Sequence, residues 1–200
     1  MSLSAQLQQR GQALLSEQLR HPVVRGLGSG ELDPAVFRAW LEQDYLFLLD
    51  YVRVFSRLAW QAPAAHLGDL VDLAHTTYHD ELRLHRELAA AFGADLNGPR
   101  PSPQCAAYSA FLLDAAADYG RGLAALLPCM WGYSQLGQHL AATGTAGRYQ
   151  RWVDTYADPG FAALASRCAQ LLDEAAPDSD VAERVFLAGM GHELAFWDAR

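Results

Sequence analysis

Two hundred residues, 51% hydrophobic and 19% charged, suit one globular domain with room for a substantial core, well away from disorder. The net charge is −8 and all 15 basic residues are arginines, which excludes lysine Schiff-base chemistry and argues against nucleic acid or an anionic membrane as partner. Three widely spaced cysteines, Cys105, Cys129 and Cys168, form no CxxC pair, which suits a reducing compartment and excludes a cysteine-based zinc site.

The apolar residues Leu3, Leu7, Leu14, Leu15 and Leu19 recur at helical spacing and predict a helix over 3–20, stopped by His21-Pro22. Gly26, Gly28 and Gly30 read as a turn; no apolar strand precedes them, so they are no phosphate loop. Asp33-Pro34 gives an N-cap followed by proline at the first helical position, and a long helix is predicted from there to about Gln61. Another is predicted over about 66–92, closed by Gly93. After the loop 94–103 come helices at about 104–119 and 121–142, then a break at Gly144 and Gly147 and a short helix through Tyr156. Helices at about 161–175 and 179–198 finish the chain, each preceded by a proline-containing break. No window alternates with period two, and no apolar run reaches membrane-spanning length. The N-terminus lacks the basic start and long apolar core of a signal peptide. The expectation is an all-α, single-domain helical bundle, residues 1–200, located in the cytoplasm.

Chemistry concentrates in Arg121–Gly137, RGLAALLPCMWGYSQLG. Pro128 inside a helix has no amide proton and clashes with the carbonyl of Ala124, so a bend that frees this carbonyl is predicted. Cys129 follows the proline directly, and Tyr133 lies one turn further on the same face. In the long second helix Asp44, Phe47 and Tyr51 share a face that is otherwise core-like. A carboxylate there either meets a ligand or pairs with an arginine such as Arg53 or Arg57, since an unpaired buried charge costs several kcal/mol. Glu193 is the acidic member of a stripe with Phe186, Met190 and Trp197, Tyr108 begins one with Phe111 and Leu112, and Tyr156 sits at a helix end. The run HTTYHDELRLHRE, with His75, His79, Glu81 and His85, raises a metal reading. No facing helix offers a matching histidine set, so the run is read as a solvated or inter-helix polar face and no metal is expected.

Together these residues resemble the thiaminase II (TenA) family, within the haem-oxygenase-like all-α superfamily. The resemblance spans nearly the whole chain: residues 21–53, ELRLHRELAAAFG (81–93), LLPCMWGYSQLG (126–137), YQRWVDTYADPGF (149–161) and HELAFW (192–197). The QDY and LPCxWxY segments in that order are its most specific part.

What the resemblance implies is an aminopyrimidine pocket and hydrolysis at the exocyclic carbon of a 4-amino-2-methylpyrimidine. The pyrimidine-binding aspartate falls on Asp44, the nucleophile on Cys129, the acid–base glutamate on Glu193 and a catalytic tyrosine on Tyr156. Tyr133 falls one turn after the cysteine, and Tyr108, Phe47 and Trp197 would supply walls for the ring. Tyr133 and Tyr156 hydroxyls would ease formation of the thiolate. Phe47 stands where the family often has a tyrosine, which removes one hydroxyl contact. No cofactor is implied, the partner is a small-molecule aminopyrimidine, and a homo-oligomer, dimer or tetramer, is expected. Two other readings share the fold. A non-catalytic pyrimidine-binding protein would have no use for Cys129 with Glu193, and an oxidase of the pyrroloquinoline-quinone synthase branch would need a basic pocket.

Overall fold

The computed structural model describes residues 1–200 and contains ten α-helices and no strand. They are α1 (Leu3–Arg20), α2 (Pro22–Ser29), α3 (Pro34–Gln61), α4 (Ala64–Thr76), α5 (Leu82–Phe92), α6 (Pro103–Ala115), α7 (Tyr119–Thr143), α8 (Gln150–Ala157), α9 (Pro159–Ala175) and α10 (Ser179–Phe196). No helix is long and apolar enough to cross a membrane. The all-α bundle expected from the periodicity is what forms.

Local signals set most boundaries. The Asp33 side chain accepts from the Ala35 amide and Pro34 opens α3, a cap worth about 1 kcal/mol. Asp118 caps α7 through the Arg121 amide, and Gly93 closes α5 in the left-handed region at φ 69°. Three expectations are corrected. Residues 22–29, read as a glycine turn, form a short helix: Pro22 starts it, His21 Nδ1 accepts from the Val23 amide, and only Gly30, at φ 75°, turns the chain. The helix expected over 66–92 is interrupted by a π-helical turn at Thr77–Glu81. Such a turn inserts an extra residue into the helix and re-aims the side chains after it. The helix predicted to run to 119 ends at Ala115, and α7 begins at Tyr119.

One core of 51 buried hydrophobic residues runs through every α-helix, so the elements fold around a common centre. That centre is α7, most of which is buried between Gly122 and Leu140 and which packs against α3, α6, α8, α9 and α10. The helix is continuous through Pro128. The Tyr51 hydroxyl donates to the Leu126 carbonyl at 3.0 Å, two residues beyond the Ala124 carbonyl that the proline was expected to free.

Two glycines let neighbours come close to α7. A Cβ at Gly137 would overlap the backbone of Tyr156, so only glycine admits α8 at this distance. A Cβ at Gly189 would stand 2.8 Å from Pro128 Cγ, so α10 meets α7 at the residue before Cys129. The first contact sets Tyr156 against Tyr133, with ring centroids 4.9 Å apart, and the second places Glu193 one turn past the crossing.

Candidate active site

Four walls meet around Cys129. α3 contributes Asp44, Phe47 and Tyr51; α6 and α10 contribute Tyr108 and Glu193; α7 contributes Cys129 and Tyr133; the π-turn and α8 contribute Glu81 and Tyr156. Asp44, Cys129, Tyr133, Tyr156 and Glu193 are all buried. A Cβ added to buried Gly132, three residues after Cys129, would meet nothing within 4 Å, so there is open space on this side of α7.

Asp44 is held neither by Arg53, which pairs with Asp50, nor by Arg57, which donates to the Leu113 carbonyl. Its Oδ2 lies 2.6 Å from His85 Nε2, and His85 Nδ1 lies 2.9 Å from the Glu81 carbonyl oxygen. A carbonyl can only accept, so Nδ1 carries a proton. The short contact to a carboxylate then requires a second proton on the Nε2 side. Burial works against a charged imidazole, but the bond to Asp44 and the charges of Asp44 and Glu81 outweigh it and hold His85 above its usual pKa. Asp44 and His85 therefore form a buried ion pair, fully sealed on the histidine side.

Two carboxyl groups elsewhere in the chamber keep their protons to higher pH than usual, Glu193 more than Glu81. Glu193 accepts from the Tyr108 hydroxyl at 2.5 Å. Burial pushes its pKa up to about 8, partly offset by that bond, while the charge of Asp44 pushes the same way as burial. Glu81 accepts from the Tyr156 hydroxyl at 2.8 Å and is pushed up to about 7 by burial, with His85 and Tyr156 pulling it down. The Cys129 thiol lies near enough to all three acids to feel them. Burial raises its pKa well above the ordinary range, then Glu193, Glu81 and Asp44 raise it further, and Tyr51 is the one neighbour that eases it. Among these acids Cys129 is held as the thiol.

The aromatic residues divide into two groups. Phe47 stacks on Tyr108 at 4.7 Å and on Tyr51 at 5.4 Å. Tyr108 also stacks on His192 at 5.3 Å, so its hydroxyl edge, not an unoccupied ring face, is turned to Glu193. Trp197 lies behind Tyr133, stacked on it at 5.8 Å and on Trp40 at 5.2 Å, and its indole N–H donates to Gln18. The Tyr133 hydroxyl makes no hydrogen bond within the protein and is not among the sealed polar atoms that lack a partner. The phenols expected to assist the thiol are placed differently: Tyr156 is committed to Glu81, and Tyr51 acts on Cys129.

Sequence reasoning missed Glu81 and His85 by treating their run as one polar face. His75 and His79 are exposed, with rings 4.3 Å apart, whereas His85 is buried. The separating signal was phase, since Glu81 and His85 are four apart and run with buried Leu84 and Leu88. Beside this wall lies an open cleft of about 660 Å³, lined by Glu81, Met130 and residues of α4, α5, α8 and α9.

Residues 5–200 match the model of the TENA/THI-4/PQQC family. The chain is 32% identical to an aminopyrimidine aminohydrolase of Halalkalibacterium halodurans, across 99% of this chain and 95% of that protein. It is 28% identical to an aminopyrimidine aminohydrolase of Helicobacter pylori, across 99% of this chain and 98% of the relative. Among solved structures, a TenA homologue from P. horikoshii OT3 superposes with a TM-score of 0.92 at 24% identity, covering 99% of this chain and 97% of that one.

Proposed function

The chain belongs to the TENA/THI-4/PQQC family, and from that premise we propose that it is an aminopyrimidine aminohydrolase, a thiaminase II-like enzyme of thiamin salvage. Its substrate on this reading is 4-amino-5-aminomethyl-2-methylpyrimidine, which it hydrolyses to the hydroxymethyl pyrimidine and ammonia. The observation that carries the reading is the convergence of one thiol and the carboxyl groups of Asp44, Glu81 and Glu193, which are bonded to His85, Tyr156 and Tyr108 and to no arginine. A chamber with that balance favours a cationic heterocycle and disfavours the polycarboxylated substrate of a quinone synthase.

The chemistry follows from the charges. An aromatic pyrimidine becomes electrophilic when a ring nitrogen is protonated or strongly hydrogen-bonded, and Asp44, fixed by His85, receives that edge of the ring. The same bound cation offsets the carboxylates that hold the thiol neutral, so Cys129 can ionise once substrate is in place. The sulfur adds to a ring carbon, and the ring nitrogen takes up the matching proton. The electron pair returning from the ring breaks the exocyclic C–N bond, and Glu193, which still holds its proton at physiological pH, gives that proton to the departing nitrogen and is left as a carboxylate. Water then adds to the exocyclic carbon and gives its proton to Glu193. Loss of the thiolate restores the aromatic ring and frees the alcohol.

Parallel incubation with the aminomethyl pyrimidine and with thiamin, reading out the pyrimidine alcohol and ammonia, tests this. Alcohol with stoichiometric ammonia is expected from the first compound. Absence of alcohol from both would overturn the assignment.

A further inference from the structure

Glu81 belongs to two spaces at once. Its carboxyl group reaches the chamber, where it accepts from Tyr156 and acts on Cys129, and the same residue lines the open cleft together with Met130, the neighbour of Cys129. The other chamber acids, Asp44 and Glu193, do not line that cleft. The residue owes this position to the π-turn Thr77–Glu81, which breaks the helical phase between α4 and α5 at Glu81 itself.

The charged lining of the cleft has an acidic excess. Asp80, Glu81, Glu87, Asp154 and Asp158 face it against Arg83 and Arg151. Both arginines are engaged, Arg83 with Asp80 and Arg151 with Glu87. Asp158 is occupied in capping α9, and Asp154 accepts from Gln150. Glu81 is bonded only by one neutral phenol, which leaves its second oxygen without a partner. A pyrimidine ring enclosed by the chamber must send any larger substituent out through a wall that adjoins open space, and the wall at Glu81 does so.

We propose that Glu81 is the specificity-determining residue for the substrate's side arm: from the cleft side it receives a positively charged nitrogen on the exocyclic carbon, and the cleft houses the group that departs. This rests on the hydrolytic reading above and extends it. The ligand chemistry selected is an ammonium or a nitrogen-quaternised heterocycle attached through one methylene to the ring. The alcohol product carries no such charge, so the same carboxylate that holds the substrate has little hold on the product.

The test is calorimetric binding of 4-amino-5-aminomethyl-2-methylpyrimidine and of its hydroxymethyl counterpart, in a Cys129→Ser background so that the amine is not consumed. With Glu81 intact, the amine binds about tenfold or more tighter than the alcohol. Glu81→Gln collapses that ratio towards one while leaving alcohol affinity within about twofold, so a folding defect would be visible in the alcohol. Glu81→Asp, which keeps the charge on a shorter arm, restores part of the preference. An amine-to-alcohol ratio unchanged by Glu81→Gln, in a protein whose wild type hydrolyses the amine, overturns the role given to Glu81 and leaves the enzyme assignment standing. A Glu81-dependent ratio in a protein whose wild type releases no ammonia does the reverse.

Discussion

The chamber has two glutamate–tyrosine pairs on different walls, both acting on the thiol, and they differ in access. Glu193 with Tyr108 is sealed between α6 and α10, with Glu193 only 2% exposed. Glu81, bonded to the buried Tyr156, is itself half-buried and stands on the edge of an open cleft. Both carboxyls are raised for the same first reason, burial, and both are partly relieved by a phenol. What separates them is that one can exchange a proton only with the enclosed ligand, whereas the other can meet something entering from outside. Like chemistry on two walls thus supports unlike duties, acid–base work at Glu193 and reception of the side arm at Glu81.

The largest effect should come from removing the group that both walls serve. Cys129→Ser is expected to lower ammonia release by more than about 10⁴-fold while product affinity, measured by calorimetry, stays within a few-fold. Undiminished turnover in that variant would end the covalent mechanism. Next, Glu193→Gln should cost about 10²–10⁴ in turnover. In the wild type, activity should decline as pH rises through about 8, where Glu193 gives up its proton. A pH–rate profile in which Glu193→Gln keeps that limb would assign it to another group.

Stability sharpens the contrast further. His85→Ala leaves Asp44 buried without its cationic partner and should cost about 3–5 kcal/mol by denaturant unfolding. Because the folded protein raises the histidine pKa, its contribution is fully present below the unfolded value and fades as pH rises through the folded one. The gap between wild type and variant should therefore narrow at alkaline pH; a gap that widens there would contradict the ion pair. The smallest effects, about 1–3 kcal/mol each, belong to the two close-approach glycines. Gly137→Ala should disturb the Tyr156 wall and Gly189→Ala the Glu193 wall. The first should therefore weaken discrimination between amine and alcohol, and the second should lower turnover. Identical kinetic defects in both would argue that the walls are not separable.

Much of this was legible beforehand. Proline and aspartate at helix starts, glycine at helix ends and the apolar period located nearly all the helices, because those signals act locally. Asp44, Cys129 and Glu193 stood out as polar residues in apolar stripes. The π-turn had no such signature, since its sequence TYHDE is compatible with an ordinary helix and only packing around the chamber shifts its phase. For the same reason Glu81 and His85 were hidden among solvent-facing histidines, and the protein partner weighed for Asp44, beside a ligand, was an arginine and not His85. Long-range pairing, not composition, chose His85, which is 41 residues away. Short glycine-rich α2 was also missed, because its stabilisation comes from the residues it buries, Val23, Val24 and Leu27, more than from propensity.

The most direct test is a crystal structure of Cys129→Ser with the aminomethyl pyrimidine bound. The account predicts the ring enclosed among α3, α7 and α10, with one ring edge on Asp44, a ring carbon in contact with the residue-129 hydroxyl and the exocyclic carbon beside Glu193. A ring lodged in the outer cleft, or separated from residue 129 by a packed side chain, would contradict it.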